Sequence, residues 1–173
     1  MGQIQSVLEH PMWLEEVAAR WQQVLADESL KGLPFKIETN RGGQIIMSPA
    51  KNIHGRYQAA LSKMLEVQLG GKSLTECSIA TPQGVKVADV AWAPNEYFEE
   101  YGYADPYSVA PHICVEIKSL SNARVELLGK VQLYLDAGAQ EVWLVAEDGS
   151  VRIHNASGPV AKSSFMGELP PLK

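Results

Sequence analysis

Two apolar runs of strand length, each containing one acid, constrain the fold more than any other feature. Gly84–Trp92 is apolar on both faces of a strand and contains Asp89. The run Pro111–Lys118 alternates with a period of two, which predicts a half-buried strand with Glu116 and Lys118 on the same face. A carboxylate in such a run is costly unless it is paired, hydrogen-bonded or bound to a metal. The two runs therefore predict neighbouring strands whose acids meet at one edge of a sheet.

The remaining elements are predicted from periodicity, capping residues and turn residues. The order is a helix over 7–30, a hairpin of 35–38 and 44–47, a helix from Ser48-Pro49 to Leu69, strands at 74–80 and 85–92, a short helix within 94–103, the strand ending at Lys118, a helix over 123–136 capped by a serine or asparagine of 119–122, and strands at 141–146 and 151–154. This order predicts an α/β or α+β fold with helices on the faces of a sheet. We divide the chain into an N-terminal helical segment (1–33), a core (34–157) and a tail (158–173) that is expected to be flexible.

Composition limits the classes of protein to consider. With 173 residues the chain suits one domain, and it contains no apolar stretch long enough to cross a membrane. Cys77 and Cys114 lie in predicted strands without a zinc-binding pattern, which indicates buried free thiols in a reducing cytoplasm. Trp92, Trp143 and Tyr134 lie in periodic apolar segments, which is more typical of core packing than of base stacking.

A net charge of −5 and a pI near 5.4 argue against a protein that coats nucleic acid. Contact with DNA or RNA must then depend on a local basic patch, although any single surface lysine or arginine is more often merely solvated. Of these residues, Arg56 and Lys130 are the candidates for nucleic-acid binding, and Lys130 could instead pair with a carboxylate. The basic residues considered are Arg41, Lys51, Arg56, Lys63, Arg124 and Lys130.

Asp89 and Glu116 are the types of ligand that a hard divalent ion prefers. Magnesium binds oxygen atoms and is usually held by one or two carboxylates plus water and phosphate. The backbone carbonyl of Ile117 could supply a third oxygen, and Lys118 could position the attacking water. The set predicts phosphodiester chemistry with Mg²⁺, or Mn²⁺ in its place. The alternative is that Glu116 and Lys118 are ordinary surface residues and that Asp89 is hydrogen-bonded structurally.

A wider set of residues resembles a known family. Asp89 with Glu116-Ile117-Lys118 is similar to the PD-(D/E)XK nuclease superfamily, and the chain from about residue 34 to 154 resembles the Uma-type family of restriction-endonuclease-like proteins. The resemblance lies in Glu38 before a glycine-containing turn, Met47-Ser48-Pro49 with His54, Val87-Ala88-Asp89-Val90, Val115-Glu116-Ile117-Lys118-Ser119, Lys130, Tyr134, Ala137-Gly138-Ala139 and Glu141-Val142-Trp143-Leu144-Val145.

The resemblance implies a restriction-endonuclease-like mixed sheet flanked by helices, and a magnesium-dependent endonuclease that hydrolyses DNA. It makes Asp89 and Glu116 metal ligands and Lys118 the catalytic lysine, and it places His54 and Glu38 near the site. Many nucleases of this fold pair to cut both strands, so a homodimer is expected.

The chain departs from the family pattern at Ala88 and Leu120, where the family usually has proline. Both departures concern loop geometry rather than chemistry. A third departure favours activity, because many relatives lack a lysine at the position of Lys118 and this chain has one. The alternative to an enzyme is a nuclease fold that serves as a binding or assembly module without turnover.

Overall fold

The computed structural model describes residues 9–118 and 124–172. Within these ranges no helix combines the length and the hydropathy needed to cross a bilayer. The elements are α1 (Glu9–Ala26), a 3-10 turn (Glu28–Leu30), β1 (Phe35–Thr39), β2 (Ile45–Pro49), α2 (Asn52–Leu69), β3 (Lys72–Thr81), β4 (Gly84–Ala93), α3 (Asn95–Tyr101), β5 (Ile113–Ile117), α4 (Arg124–Asp136), β6 (Glu141–Val145), β7 (Val151–Asn155) and β8 (Gly158–Val160). The predicted order of helices and strands is confirmed, and the predicted cap of α4 lies outside the described residues.

The main sheet has the strand order β3-β4-β5-β6-β7-β8. Neighbouring strands are antiparallel except β5 and β6, which are parallel and are joined by the crossover helix α4. The strands β1 and β2 form a separate antiparallel hairpin. The chain thus has an α+β fold in which a mixed sheet is flanked by helices, as predicted.

Helices cover both faces of this sheet, so the prediction that β5 is half-buried is wrong. Every residue of β5 is buried. Ile113 packs in one core with Leu61 of α2, while Cys114 packs in a second core with Val131 of α4. Because helices pack on both faces of the sheet, the face of β5 that alternation predicts to be solvent-exposed is buried as well. Cys77 and Cys114 are buried free thiols, as predicted.

The first hairpin is attached to the start of β4 by a close approach of backbones. Gly84 has a φ of +91°, and a Cβ there would lie 2.4 Å from the carbonyl oxygen of Asn40, so only glycine fits. Beside it, the Val85 N–H donates to Oγ1 of Thr39 at 2.8 Å and the Val87 N–H donates to Oε1 of Glu38 at 2.7 Å. These bonds bring the end of β1 against the strand that carries Asp89.

The predicted start of the second helix is wrong. Ser48 and Pro49 do not begin a helix but end β2, where they pair with Lys36 and Phe35, and α2 begins at Asn52. Pairing with β1 satisfied the extended backbone before a helical turn could start. The segment after residue 157, expected to be flexible, contributes β8 and places Leu172 in the core at 8% exposure.

Candidate active site

The site begins where the pairing of β4 with β5 ends. The paired residues run from Trp92 and Ile113 to Val90 and Val115. The next position in this register belongs to Asp89 and Glu116, and there Oδ2 of Asp89 accepts a hydrogen bond from the Ile117 N–H at 2.6 Å. A side chain has thus replaced a ladder bond, and the two acids lie beside each other at the point where the strands part.

Two lysines contact these acids. Nζ of Lys36 lies 2.9 Å from Oδ1 of Asp89 and 3.4 Å from Oε2 of Glu116. Nζ of Lys130 lies 3.3 Å from the same Glu116 oxygen and 2.7 Å from Oε1 of Glu38. The cluster therefore contains three carboxylates and two ammonium groups, drawn from β1, β4, β5 and α4.

Glu116 has the most partners in this cluster. Besides the two lysines, it accepts a hydrogen bond from the Tyr134 hydroxyl at 2.6 Å. Burial and the charges of Glu116 and Glu38 raise the pKa of Tyr134 well above its usual range, so this hydroxyl keeps its proton and remains a donor. The orientation of the Glu116 carboxylate is thus set by three groups from two elements, β1 and α4.

The pKa values of the two central acids move in opposite directions. Burial and the neighbouring charge of Glu116 raise the pKa of Asp89, despite Lys36 and the Ile117 N–H. Burial acts in the same direction on Glu116, but the charges of Lys130 and Lys36 outweigh it and lower the pKa of that group. Burial by itself would lower the pKa of Lys36. The charges of the neighbouring acids outweigh burial, so the pKa of Lys36 is raised. The ammonium groups therefore stay charged.

The acids open into a cavity of about 300 Å³. Three lysines and four carboxylates line it, so its net charge is −1 if all are ionised. His54 lines it as well, with Nδ1 accepting from the Lys51 N–H at 3.4 Å and Nε2 buried without a hydrogen-bond partner among the described residues. The charged lining residues are Lys36, Lys51, Lys130, Glu76, Asp89, Glu116 and Glu126.

The structure brings together most of the residues singled out in the sequence, with two exceptions, Lys118 and Arg56. Asp89, Glu116, Ile117 and His54 line the cavity. Lys118 is exposed and lines a different cavity, beside Arg124 and Leu144. Alternation does place it on the α4 side of the sheet, but its backbone continues the pairing with β6, where its N–H donates to the Val145 carbonyl at 2.7 Å.

The other predicted residues divide into buried and exposed positions. Glu38 is buried in the cluster, and Lys130, also buried, takes the carboxylate-pairing alternative rather than facing solvent. Arg56 is exposed on α2 and does not line the acidic cavity. Trp92 and Trp143 are buried in the core, as predicted.

Sequence reasoning missed Lys36 and the role of Tyr134. Lys36 lies two positions before Glu38 on a strand, so a period of two places both side chains on one face. Tyr134 lies four positions after Lys130 on a helix, the spacing of neighbours on one helical face. Both signals were present, but neither had meaning until Glu38 and Lys130 were known to face the site.

The residues present fit a divalent cation of the magnesium type. Asp89 and Glu116 already share one cationic neighbour, the ammonium of Lys36, so their oxygens converge on a common position. Among residues 9–118 and 124–172 no group of three His, Cys, Asp or Glu side chains is arranged to hold a metal. Magnesium needs only one or two carboxylates when water and phosphate complete its shell. Asp89 and Glu116 supply the two carboxylates that this mode requires.

Comparison with known proteins agrees with this fold. The family model "Uma2: Putative restriction endonuclease" matches residues 21–165. A crystal structure described as "a putative nuclease belonging to DUF820 from Anabaena variabilis" is similar, with a TM-score of 0.59 and 17% identity, covering 69% of this chain and 71% of that chain. That structural likeness shows a shared nuclease-like fold, while no curated protein matches. Because the family match spans most of its length, this chain belongs to the Uma2 family of restriction-endonuclease-like proteins.

Proposed function

We propose that this protein is a magnesium-dependent endonuclease that hydrolyses phosphodiester bonds of DNA. The observation that carries the proposal is that Asp89 and Glu116 line one cavity and both contact the same ammonium group, that of Lys36. Membership of a family described as "Putative restriction endonuclease" supports the reaction class. The similar crystal structure supports the fold on which such a site would be built.

Asp89 and Glu116 would hold the ion, with the backbone carbonyl of Ile117 as a third oxygen donor. When bound, a divalent ion supplies Lewis-acid polarisation of a phosphoryl oxygen and lowers the pKa of a coordinated water. The charge of the cavity supports the need for such an ion. A net charge of −1 would repel a phosphodiester, so an additional cation is required to bind one there.

The surrounding residues preorganise this site. Lys130 and Tyr134 restrain the carboxylate of Glu116, and Glu38 is itself held by a backbone N–H while it accepts from Lys130. A site whose ligands are oriented in advance loses little free energy to reorganisation during the reaction. Nε2 of His54 would hydrogen-bond a water or a phosphate oxygen that enters the cavity.

Contact with the rest of the DNA would rely on the exposed surface around the cavity. Arg56 is exposed on α2, the same helix that carries His54, and is our candidate for a contact with a backbone phosphate. Two sites that act together can cut both strands of a duplex in one encounter, so we expect two copies of the chain to act together. Size-exclusion chromatography of the protein with and without a DNA duplex tests that expectation.

The experiment is a plasmid-nicking assay with Mg²⁺ or Mn²⁺. We expect relaxed and linear plasmid from the native protein, none in chelator, and at least about a hundredfold slower nicking by Asp89→Asn. The isosteric amide removes the charge while it preserves the size of the side chain. Equal nicking by both proteins would identify a contaminating nuclease and remove the proposal.

The second candidate is a binding module without turnover, which one observation favours. Lys36 and Lys130 already neutralise much of the charge of the acids, so the cluster has the character of a closed ion-pair network. Calorimetry separates the two candidates. Heat of Mn²⁺ binding that disappears in Asp89→Asn favours the enzyme, and indistinguishable titrations of the two proteins favour the module.

A further inference from the structure

Lys36 holds an unusual position, because its ammonium lies between the two acids proposed as metal ligands. Its Nζ contacts Oδ1 of Asp89 at 2.9 Å and Oε2 of Glu116 at 3.4 Å, and its side chain is 13% exposed. A divalent ion shared by the same two carboxylates would need the oxygens that now face Lys36. Both cations cannot occupy one position, because their charges repel each other and their volumes overlap.

The two lysines of the cluster differ in how firmly they are held. Lys130 is 8% exposed on helix α4 and contacts Glu38, which is itself anchored by the Val87 N–H. Lys36 lies near the start of β1, next to the exposed Phe35, in a hairpin that is separate from the main sheet. Its four-carbon side chain has many rotamers, so it can leave the acids without movement of the main chain.

We propose that Lys36 is a tethered cation that competes with the divalent ion for the Asp89–Glu116 pair. Without metal its ammonium pairs with Asp89 and, together with Lys130, with Glu116, so it offsets part of the repulsion between the two buried acids. Metal binding displaces its ammonium toward the cavity, where a phosphate would enter. This inference rests on the proposed function, since it requires Asp89 and Glu116 to bind a metal.

The competition has a measurable consequence. Metal can bind only those molecules in which the internal competitor has released the acids. The apparent affinity for the metal is therefore the intrinsic affinity multiplied by the fraction of such molecules. Removing that competitor should therefore tighten metal binding, whereas loss of a residue that helps to bind the metal should weaken it. The direction of the change distinguishes a competitor from a supporting residue.

The test is calorimetric titration of Mn²⁺ into the full chain and its Lys36→Met variant. We expect binding by Lys36→Met to be about tenfold tighter or more. Lys63→Met, an exposed lysine on α2, is the matched control and should bind as the native protein does. The inference would be overturned if Lys36→Met bound Mn²⁺ no more tightly than the native protein does, provided that Mn²⁺ binding by the native protein depends on Asp89.

Failure of the proposed function gives a different result. If the native protein and Asp89→Asn show the same heats, the acids do not bind the metal, and the proposed function fails first. Should Lys36→Met not fold, as judged by circular dichroism, Lys36→Gln replaces it.

The native protein offers a further measurement that needs no variant of Lys36. The side-chain ¹⁵Nζ resonance of Lys36 should shift when Mg²⁺ is added to the native protein and stay in place in Asp89→Asn. A resonance that does not respond to Mg²⁺ in a protein that binds it would show that the ammonium is not displaced.

Discussion

Two buried carboxylates at opposite ends of the parallel strands β5 and β6 have contrasting surroundings. Glu116, at the end of β5, contacts two ammonium groups and faces a cavity beside a second acid. Glu141, at the start of β6, accepts four hydrogen bonds from neutral donors at 2.6 to 2.8 Å. These donors are Nε1 of Trp143, the hydroxyl of Ser163, and the N–H and hydroxyl of Ser164.

The difference shows that burial of an acid is not in itself a sign of function. The oxygens of Glu141 are satisfied by fixed dipoles, three of them from the C-terminal segment, and their effect is to attach that segment to the sheet. The oxygens of Glu116 are satisfied by two lysine ammonium groups and the Tyr134 hydroxyl, at the edge of a cavity. A convergence of like charges beside open space is therefore the more specific signature of a site.

The largest effect is expected when Glu116 is replaced by its amide, with the same replacement at Glu141 as the comparison. We expect Glu116→Gln to slow plasmid nicking by at least about a hundredfold, because it removes a charge from the proposed metal site. Glu141→Gln should keep the native rate per folded molecule, since Glu141 does not line the cavity. Both rates are measured with Mn²⁺ on protein of verified fold, and equal loss in the two variants would erase the functional distinction between the acids.

A truncation of Glu141 should instead reduce stability. Glu141→Ala leaves the buried donors of Trp143 and Ser163 without an acceptor, and each unsatisfied group costs about 1–3 kcal/mol. We expect the free energy of unfolding in urea to fall by about 3 kcal/mol. A fall below about 1 kcal/mol would show that the C-terminal segment is held mainly by packing.

The pH dependence of stability should separate Asp89 from Glu116. Because the folded-state pKa of Asp89 is raised, its ionisation destabilises the fold as pH rises above the ordinary value of 3.8. Because the folded-state pKa of Glu116 is lowered, its contribution is present above the ordinary value of 4.5 and is lost as pH falls through the folded-state value.

With rising pH, Asp89→Asn should therefore gain stability relative to the native protein, and Glu116→Gln should lose it. Urea unfolding in chelator between pH 3 and 8 measures both differences, and the chelator keeps metal binding out of the comparison. Differences that do not change with pH, or that change with the same sign, would contradict the proposed charge balance.

The smallest effect is expected at Lys118. Its side chain is exposed and outside the acidic cavity, so Lys118→Met should change the free energy of unfolding by less than about 0.5 kcal/mol. We also expect nicking close to the native rate. A loss of about a hundredfold in the nicking assay would instead support the catalytic role that the family resemblance implies for this lysine.

Much of the fold was predictable because its signals are local. Alternation and turn residues located the strands, and a lone acid in an apolar strand identified Asp89 before any contact was known. The start of α2 was mispredicted because Ser48 and Pro49 satisfy a local capping pattern, whereas pairing with Lys36 and Phe35 decided their conformation. Tertiary pairing overrode local preference at that point.

The composition of the site was less predictable, since its contacts join distant parts of the chain. Lys36 is 53 residues from Asp89 and 80 residues from Glu116. Lys118 is two residues from Glu116 on the same strand, yet it lines a different cavity. Proximity along a strand predicts a shared face, but it does not predict which neighbouring element fills the space beside that face.

The amino-acid sequence by itself determined most of the segments that form strands and helices and the burial of Asp89, because hydrophobic periodicity and the cost of burying charge act over a few residues. Only the tertiary structure decided that Lys36 and Lys130, rather than Lys118, contact those acids. That choice depends on the register between β4 and β5 and on the docking of the first hairpin at Gly84. Register and docking are set by packing between elements that are far apart in the chain.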